Sequence, residues 1–146
     1  MAFKTSTGAR NSMLSSGSLK SALTAGFIKI YSGTVPATAD AAVTGTLLCT
    51  ISINSAGTGI NFDTAASGGV LSKATSEVWS GVNVATGTAS YYRHVASSDD
   101  GTLSTTAVRL QGAVGLVGAE LNLSSVSLTS GATQTIDYYS VALPTL

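Results

Sequence analysis

The spacing of apolar positions changes character at Gly26. Upstream, "SMLSSGSLKSALTAG" offers Leu14, Leu19 and Leu23, with Ser18 placed to cap a helix and Gly26 to stop it, which predicts one short helix. Downstream the period is two. Ile28 and Ile30 alternate with Phe27, Lys29 and Tyr31 in "FIKIY", and Leu47, Cys49, Ile51 and Ile53 share one face of "LLCTISI". Both stretches are expected to be strands with that face on a core. "SGTVPATADAAVTGT" lies between them as a loop, since Pro36 excludes a central strand. Shorter β-like runs follow at 60–62, 70–71 and 78–82.

The second half is more regular. "ASYYRHVA", "AVRLQGAVG", "ELNLSSVSL" and "TQTIDYYSVAL" are each β-like and each is bounded by Gly, Asp, Asn or Ser. Many short strands with turn signals between them and almost no helix predict an all-β, single-domain β-sandwich or jelly roll. In the last run Ile136 takes one parity with Tyr138, while Tyr139, Val141 and Leu143 take the other. A β-bulge near Tyr138 and Tyr139 would reconcile the two sets, and a strand buried on both sides is the alternative. Residues 1–12, rich in Ser, Thr and Gly with Phe3 as the main apolar anchor, read as an extended N-terminal arm preceding a sandwich domain at 13–146.

Composition changes this picture in one respect. Charged residues make up only 10% of the 146-residue chain, where about a quarter is usual. The seven basic and seven acidic residues cancel, so little self-repulsion keeps copies apart. A homodimer is expected on that ground, with a homotrimer as the alternative. Lys4, Arg10, Lys20 and Lys29 all precede the first acid, Asp40, yet they are too dispersed for a nucleic-acid tract. Cys49 is the single cysteine and reads as a buried apolar side chain. With no signal-like N-terminus and no apolar run near the ~18 residues of a membrane span, synthesis in the cytoplasm without a membrane partner is the expectation.

Candidate chemistry centres on "ASYYRHVASSDDG", which holds the one histidine. On a strand, Tyr91, Arg93 and Val95 point one way and Tyr92 and His94 the other, so Arg93 and His94 diverge. "SSDDG" has the composition of a turn whose aspartates bond their own backbone while Gly101 supplies a positive φ. Hydrolase, zinc and nucleotide-loop motifs are all missing, and "GAVGLVG" follows a β-like run and opens no helix. Asp63, Glu77, Glu120 and Asp137 are isolated in sequence. The expectation is therefore no catalytic residues, no cofactor and no metal.

Taken in order, "GTASYYRHV", "DDGT", "VRLQGAVG", "GAELNLSS" and "SLTSGATQTIDYYSVALP" resemble small structural proteins of tailed bacteriophages, and the likeness extends to "FIKIYSGTVPATADAAVTGTLLCTI" and "SEVWSGV". The resemblance implies a virion protein, a capsid decoration or cement protein made in the host cytoplasm, bound to the capsid surface and in contact with the major capsid protein. On that reading the arm is the anchor, and Lys4 and Arg10 are the candidate contacts to partner carboxylates. The alternatives are a tail or baseplate component and a host-attachment or carbohydrate-binding module. A sugar-binding module would present aromatic side chains on exposed loops, whereas here Trp79 is the sole tryptophan and the tyrosines fall within β-like runs.

Overall fold

The computed structural model describes residues 3–143. From the N-terminus run β1 (Lys4–Thr5), α1 (Thr7–Asn11), a π-helical turn at Ser12–Ser16 and α2 (Leu19–Leu23). Next come β2 (Phe27–Tyr31), β3 (Leu47–Ile53), β4 (Val70–Ser72), β5 (Trp79–Val82), β6 (Gly87–Thr88) and β7 (Tyr91–Val95). The chain closes with β8 (Arg109–Gly115), β9 (Leu121–Asn122), β10 (Ser127–Leu128), β11 (Thr133–Ile136) and β12 (Ser140–Ala142). This is a small all-β domain, as the alternating patterns predict. One large sheet runs in the order β1-β8-β7-β2-β3-β5-β11, with β9 added to β8, and the pairs β10-β6 and β12-β4 form separate ribbons. No helix among the described residues is long and apolar enough to cross a membrane.

Register sorts the large sheet into two faces. Ile28 lies beside Ile51 and His94, and His94 beside Leu110. That row belongs to the apolar face, where Ile30, Cys49 and Trp79 join Leu71, Leu128 and Val141 from the two ribbons in one continuous core. Each such side chain, once fully buried, contributes about 1.5–3 kcal/mol. One residue along, Lys29 lies beside Thr50 and Arg93, Arg93 beside Gln111, and Gln111 beside Lys4. Strand alternation thus gives this sheet one apolar and one polar face. β3 is covered on both: Leu48 and Ser52 are buried as well as Cys49 and Ile51, Leu48 packing at Gly87 and Ser52 accepting from the Gly57 N–H.

The short helix forms as predicted. Ser18 caps α2, and Ser18 and Ser21 bond each other's backbone N–H in a reciprocal capping box. Its termination has a different cause from the one expected. Ala25, with φ +57°, turns the chain, while Gly26 is required for space: a Cβ there would fall 2.3 Å from the Val95 carbonyl oxygen.

Two expectations are corrected. The parity conflict in "TQTIDYYSVAL" is resolved by a change of sheet and not by a bulge, since β11 pairs with β5, the chain leaves the sheet over 137–139, and β12 pairs with β4. The second correction concerns the extended arm over 1–12. Met1 and Ala2 lie outside the described residues, but from Lys4 onward the segment is built into the domain. Lys4 and Thr5 pair with Gln111 and Leu110, and the Ser6 N–H donates to the Arg109 carbonyl at 3.0 Å. Ser6 Oγ donates to Ala107 O at 2.7 Å and accepts from the N–H groups of Ala9 and Arg109, both at 3.0 Å. Gly8 and Ala9 are buried, and any larger side chain at Gly8 would collide with the backbone of 106–107. Attachment by hydrogen bonds and close contact of very small residues leaves no apolar pattern to read.

Candidate binding surface

The stretch that gathers the histidine and its neighbours is β7 and the turn after it. His94 and Arg93 diverge as the strand period requires. His94 is buried among Phe62, Trp79 and Tyr139, with ring centroids 5.2, 6.3 and 5.7 Å away. Neither ring nitrogen has a hydrogen-bond partner, and burial pushes its pKa down to about 3. An imidazole held neutral in an apolar nest is a packing element. In the turn Asp99 accepts two bonds from Arg109, Nε to Oδ2 at 2.7 Å and Nη2 to Oδ1 at 2.6 Å, and Gly101 adopts φ +80°. Asp100 accepts from the N–H and hydroxyl of Thr102, which hold its carboxyl below the usual range.

The polar face of the sheet holds down two long loops. Arg109 Nη1 donates to Ala39 O and Asp40 O at 3.2 and 3.3 Å, and its Nη2 to Thr102 O at 2.7 Å. Gln111 Nε2 donates to Pro36 O at 2.7 Å, Lys29 Nζ to Asp99 O at 3.0 Å and Lys4 Nζ to Ala37 O at 2.9 Å. A loop that packs on a sheet must satisfy its own carbonyls, and here long cationic and amide side chains do so in place of a second ladder. Sequence reasoning treats Arg93, Lys29, Arg109 and Gln111 singly. The signal available was their shared parity on strands of a chain with few charges.

Other candidate groups have structural partners. Lys4 and Arg10 are both exposed and share a shallow depression with Phe3 and Asp40, Arg10 Nη2 donating to Thr7 Oγ1 at 2.9 Å. Asp40 receives the N–H and hydroxyl of Thr7 at 2.7 and 2.6 Å, and the hydroxyl bond holds its pKa down. Glu77 is pushed upward by partial burial, but bonds from Asn61 and from the Trp79 indole N–H outweigh this and leave it lowered. Cys49 is buried and its thiol is raised to about 11 by desolvation. Among the described residues no three His, Cys, Asp or Glu side chains come together as a metal site.

Two surface clefts are mainly apolar. One cleft is lined by Phe3, Tyr92, Tyr138, Ala142 and Leu143, and a second by Met13, Leu19, Leu71, Val141 and Leu143. They meet at Leu143. Tyr138 is 73% and Leu143 63% exposed, and Leu14, beside the second cleft's Met13, is 85% exposed. The change of sheet after β11 produces this surface, because residues 137–139 leave the ladder with Tyr139 turned inward and Tyr138 outward. Tyr138 is the one exposed aromatic side chain among the described residues. The sequence pattern assigned it to a strand and so concealed it.

No family model, curated protein or solved structure matches this chain.

Proposed function

We propose that this chain is a structural assembly protein that docks on its partners through the paired apolar clefts, and that the assembly is a virus particle on which it serves as a capsid decoration or cement protein. The observation that carries the docking reading is the contrast between charge and apolar surface. Six basic side chains, Lys4, Lys20, Lys29, Lys73, Arg93 and Arg109, bond backbone carbonyls of the chain itself, while Tyr138, Leu143 and Leu14 stand exposed around two adjoining clefts. Exposed apolar groups gathered at concave surface mark interaction sites more often than isolated ones do. The virion assignment rests on the sequence resemblance. Lys4 and Arg10 line a separate depression that shares Phe3 with the first cleft, and there they would meet carboxylates of a major capsid protein, while a neutral chain also permits a homodimer over the apolar face.

A carbohydrate-binding role has less support, since Trp79 is fully buried and hydrogen-bonded to Glu77, leaving Tyr138 without a second exposed ring to build a stacking platform. The test is co-purification. Particles assembled with a tagged copy should retain it through density-gradient sedimentation, and Tyr138→Asp with Leu143→Asp should release it while leaving the free protein folded. Retention of the double variant would remove the clefts from the interface.

A further inference from the structure

The large sheet ends on β11, and the ladder fixes which way its main chain points. β11 lies antiparallel to β5, with Gln134 beside Gly81 and Thr135 beside Ser80. Just before the strand, the Asn83 N–H donates to Ala132 O at 2.9 Å, so these two residues are a hydrogen-bonded pair. Such pairs recur at every second residue of an antiparallel ladder, which makes Gln134 and Ile136 the next to bond β5. The other side of β5 agrees. Ser80 lies beside Ser52 of β3, in phase with the bonds from the Asn54 N–H to Val78 O and from the Val84 N–H to Leu48 O, so its main chain serves β3. Thr133 and Thr135 therefore turn their N–H and C=O groups away from β5, toward the free edge. Among the described residues their two N–H groups and Thr133 O have no partner, and Thr135 O accepts only from Gln134 Nε2 at 3.0 Å.

Sheet edges are usually guarded against pairing by charge, proline or shortness. The opposite edge, β1, is two residues long and carries Lys4. β11 has neither charge nor proline, Thr133 and Thr135 are exposed on it, and a Cβ on Gly131, just before it, would meet nothing within 4 Å. We propose that β11 pairs with β11 of a second copy of this chain, antiparallel, across a two-fold axis at Gln134. The pattern of free groups selects this occupant and register. With Gln134 beside its symmetry mate, Thr133 falls opposite Thr135 of the second copy, and each outward N–H meets an outward C=O in four bonds. Thr135 O has a second lone pair for its share. The exposed face gains two Thr–Thr pairs, a favourable cross-strand combination. Asp137, the nearest charge, falls opposite Gly131 of the second copy and away from its own mate, and the neutral chain adds no repulsion. β11 lines neither apolar cleft, so the pairing stands apart from the docking and virion readings.

Sedimentation equilibrium of the free chain at micromolar to millimolar concentration tests the proposal. The wild type should approach twice the 14.5 kDa of the monomer, and the amides of Thr133 and Thr135 should gain protection from hydrogen exchange in proportion to the dimer. Thr135→Pro removes an outward donor and no bond to β5, so it should give a folded monomer. Thr133→Lys with Thr135→Lys sets like charges opposite each other and should also give a monomer. Thr133→Lys with Thr135→Glu sets opposite charges across the axis at both positions and should restore the dimer. A wild-type monomer throughout would overturn the proposal, as would a dimer that survives the two lysines or a Lys and Glu combination that stays monomeric, whether or not the proline variant folds. A dimer lost on Leu143→Asp and kept with the two lysines would place the contact on the clefts and overturn it too.

Discussion

Lowering the pH from 8 to 4.5 should weaken the domain through His94 before its carboxylates titrate. The side chain is 1% exposed, its ring neighbours are Phe62, Trp79 and Tyr139, and its folded pKa is pushed to about 3 from an ordinary value of 6.5. The sign follows from proton counts. Between these two values the unfolded chain binds a proton that the folded one refuses, so the contribution is fully present above pH 6.5 and declines as the pH falls. At about 1.36 kcal/mol per pH unit the loss at pH 5 is about 2 kcal/mol, rising by about 1.4 kcal/mol for each further unit until the folded-state pKa. Asp40, Glu77 and Asp100 are all held below their usual range, so each adds a loss that sets in only as the pH nears its ordinary value. That value is 3.8 for the two aspartates and 4.5 for Glu77, below most of the His94 window. The assay is urea unfolding at intervals of half a pH unit for the wild type and for His94→Phe. Phe fills the nest without nitrogens, and any overpacking cost of about 1 kcal/mol shifts its curve without tilting it. The wild-type curve should fall about 2 kcal/mol further than the variant's between pH 7 and pH 5. Parallel curves would refute the buried, unpartnered imidazole.

Further expectations concern polar attachments and the thiol. Ser6→Ala removes the donor to Ala107 O and the acceptor for two N–H groups, and should cost about 2 kcal/mol or more by thermal or urea unfolding. Deleting residues 1–11 should for the same reason prevent folding, not merely detach an anchor, as a flat urea profile would reveal. Asp99→Ala strands the Arg109 guanidinium, which has no exposed side-chain surface, and should cost about 3–5 kcal/mol, while Asp100→Ala in the exposed part of the turn should cost under about 1 kcal/mol. Cys49 should resist a thiol reagent at pH 8 in the native protein and react at once in urea, since it is both buried and raised to about 11; rapid native labelling would contradict the packing of β3.

Alternation of side chains was enough to find β2, β3, β7 and β8, because the row facing the main core keeps its period over five to seven positions even where, as in β3 and β7, the other face is covered as well. Ser18 revealed α2 for an equally local reason, a cap three residues before its partner. Non-local attachments were hidden. Nothing near Ser6 in sequence says that Ala107 and Arg109, about a hundred residues on, complete its hydrogen bonds. Arg109 and Asp99 likewise pair across a turn whose composition pointed only to self-contained capping. Tyr138 was concealed by the opposite error, a continuous β-like run in which the chain in fact changes sheets. Polar side chains that hold loops, and a break that turns one tyrosine outward, leave no periodic trace.

The measurement that bears most directly on the proposed role is electron cryo-microscopy of intact particles purified from the source that produces this chain, joined to mass spectrometry of the same fraction. The account predicts stoichiometric recovery of the chain and density for an all-β domain on the outer surface of the head. In that density the face bearing Tyr138 and Leu143 should be buried against a capsid protein or a second copy, with Lys4 and Arg10 close to carboxylates. Particles that lack the chain, or that carry it with those clefts facing solvent, would contradict it.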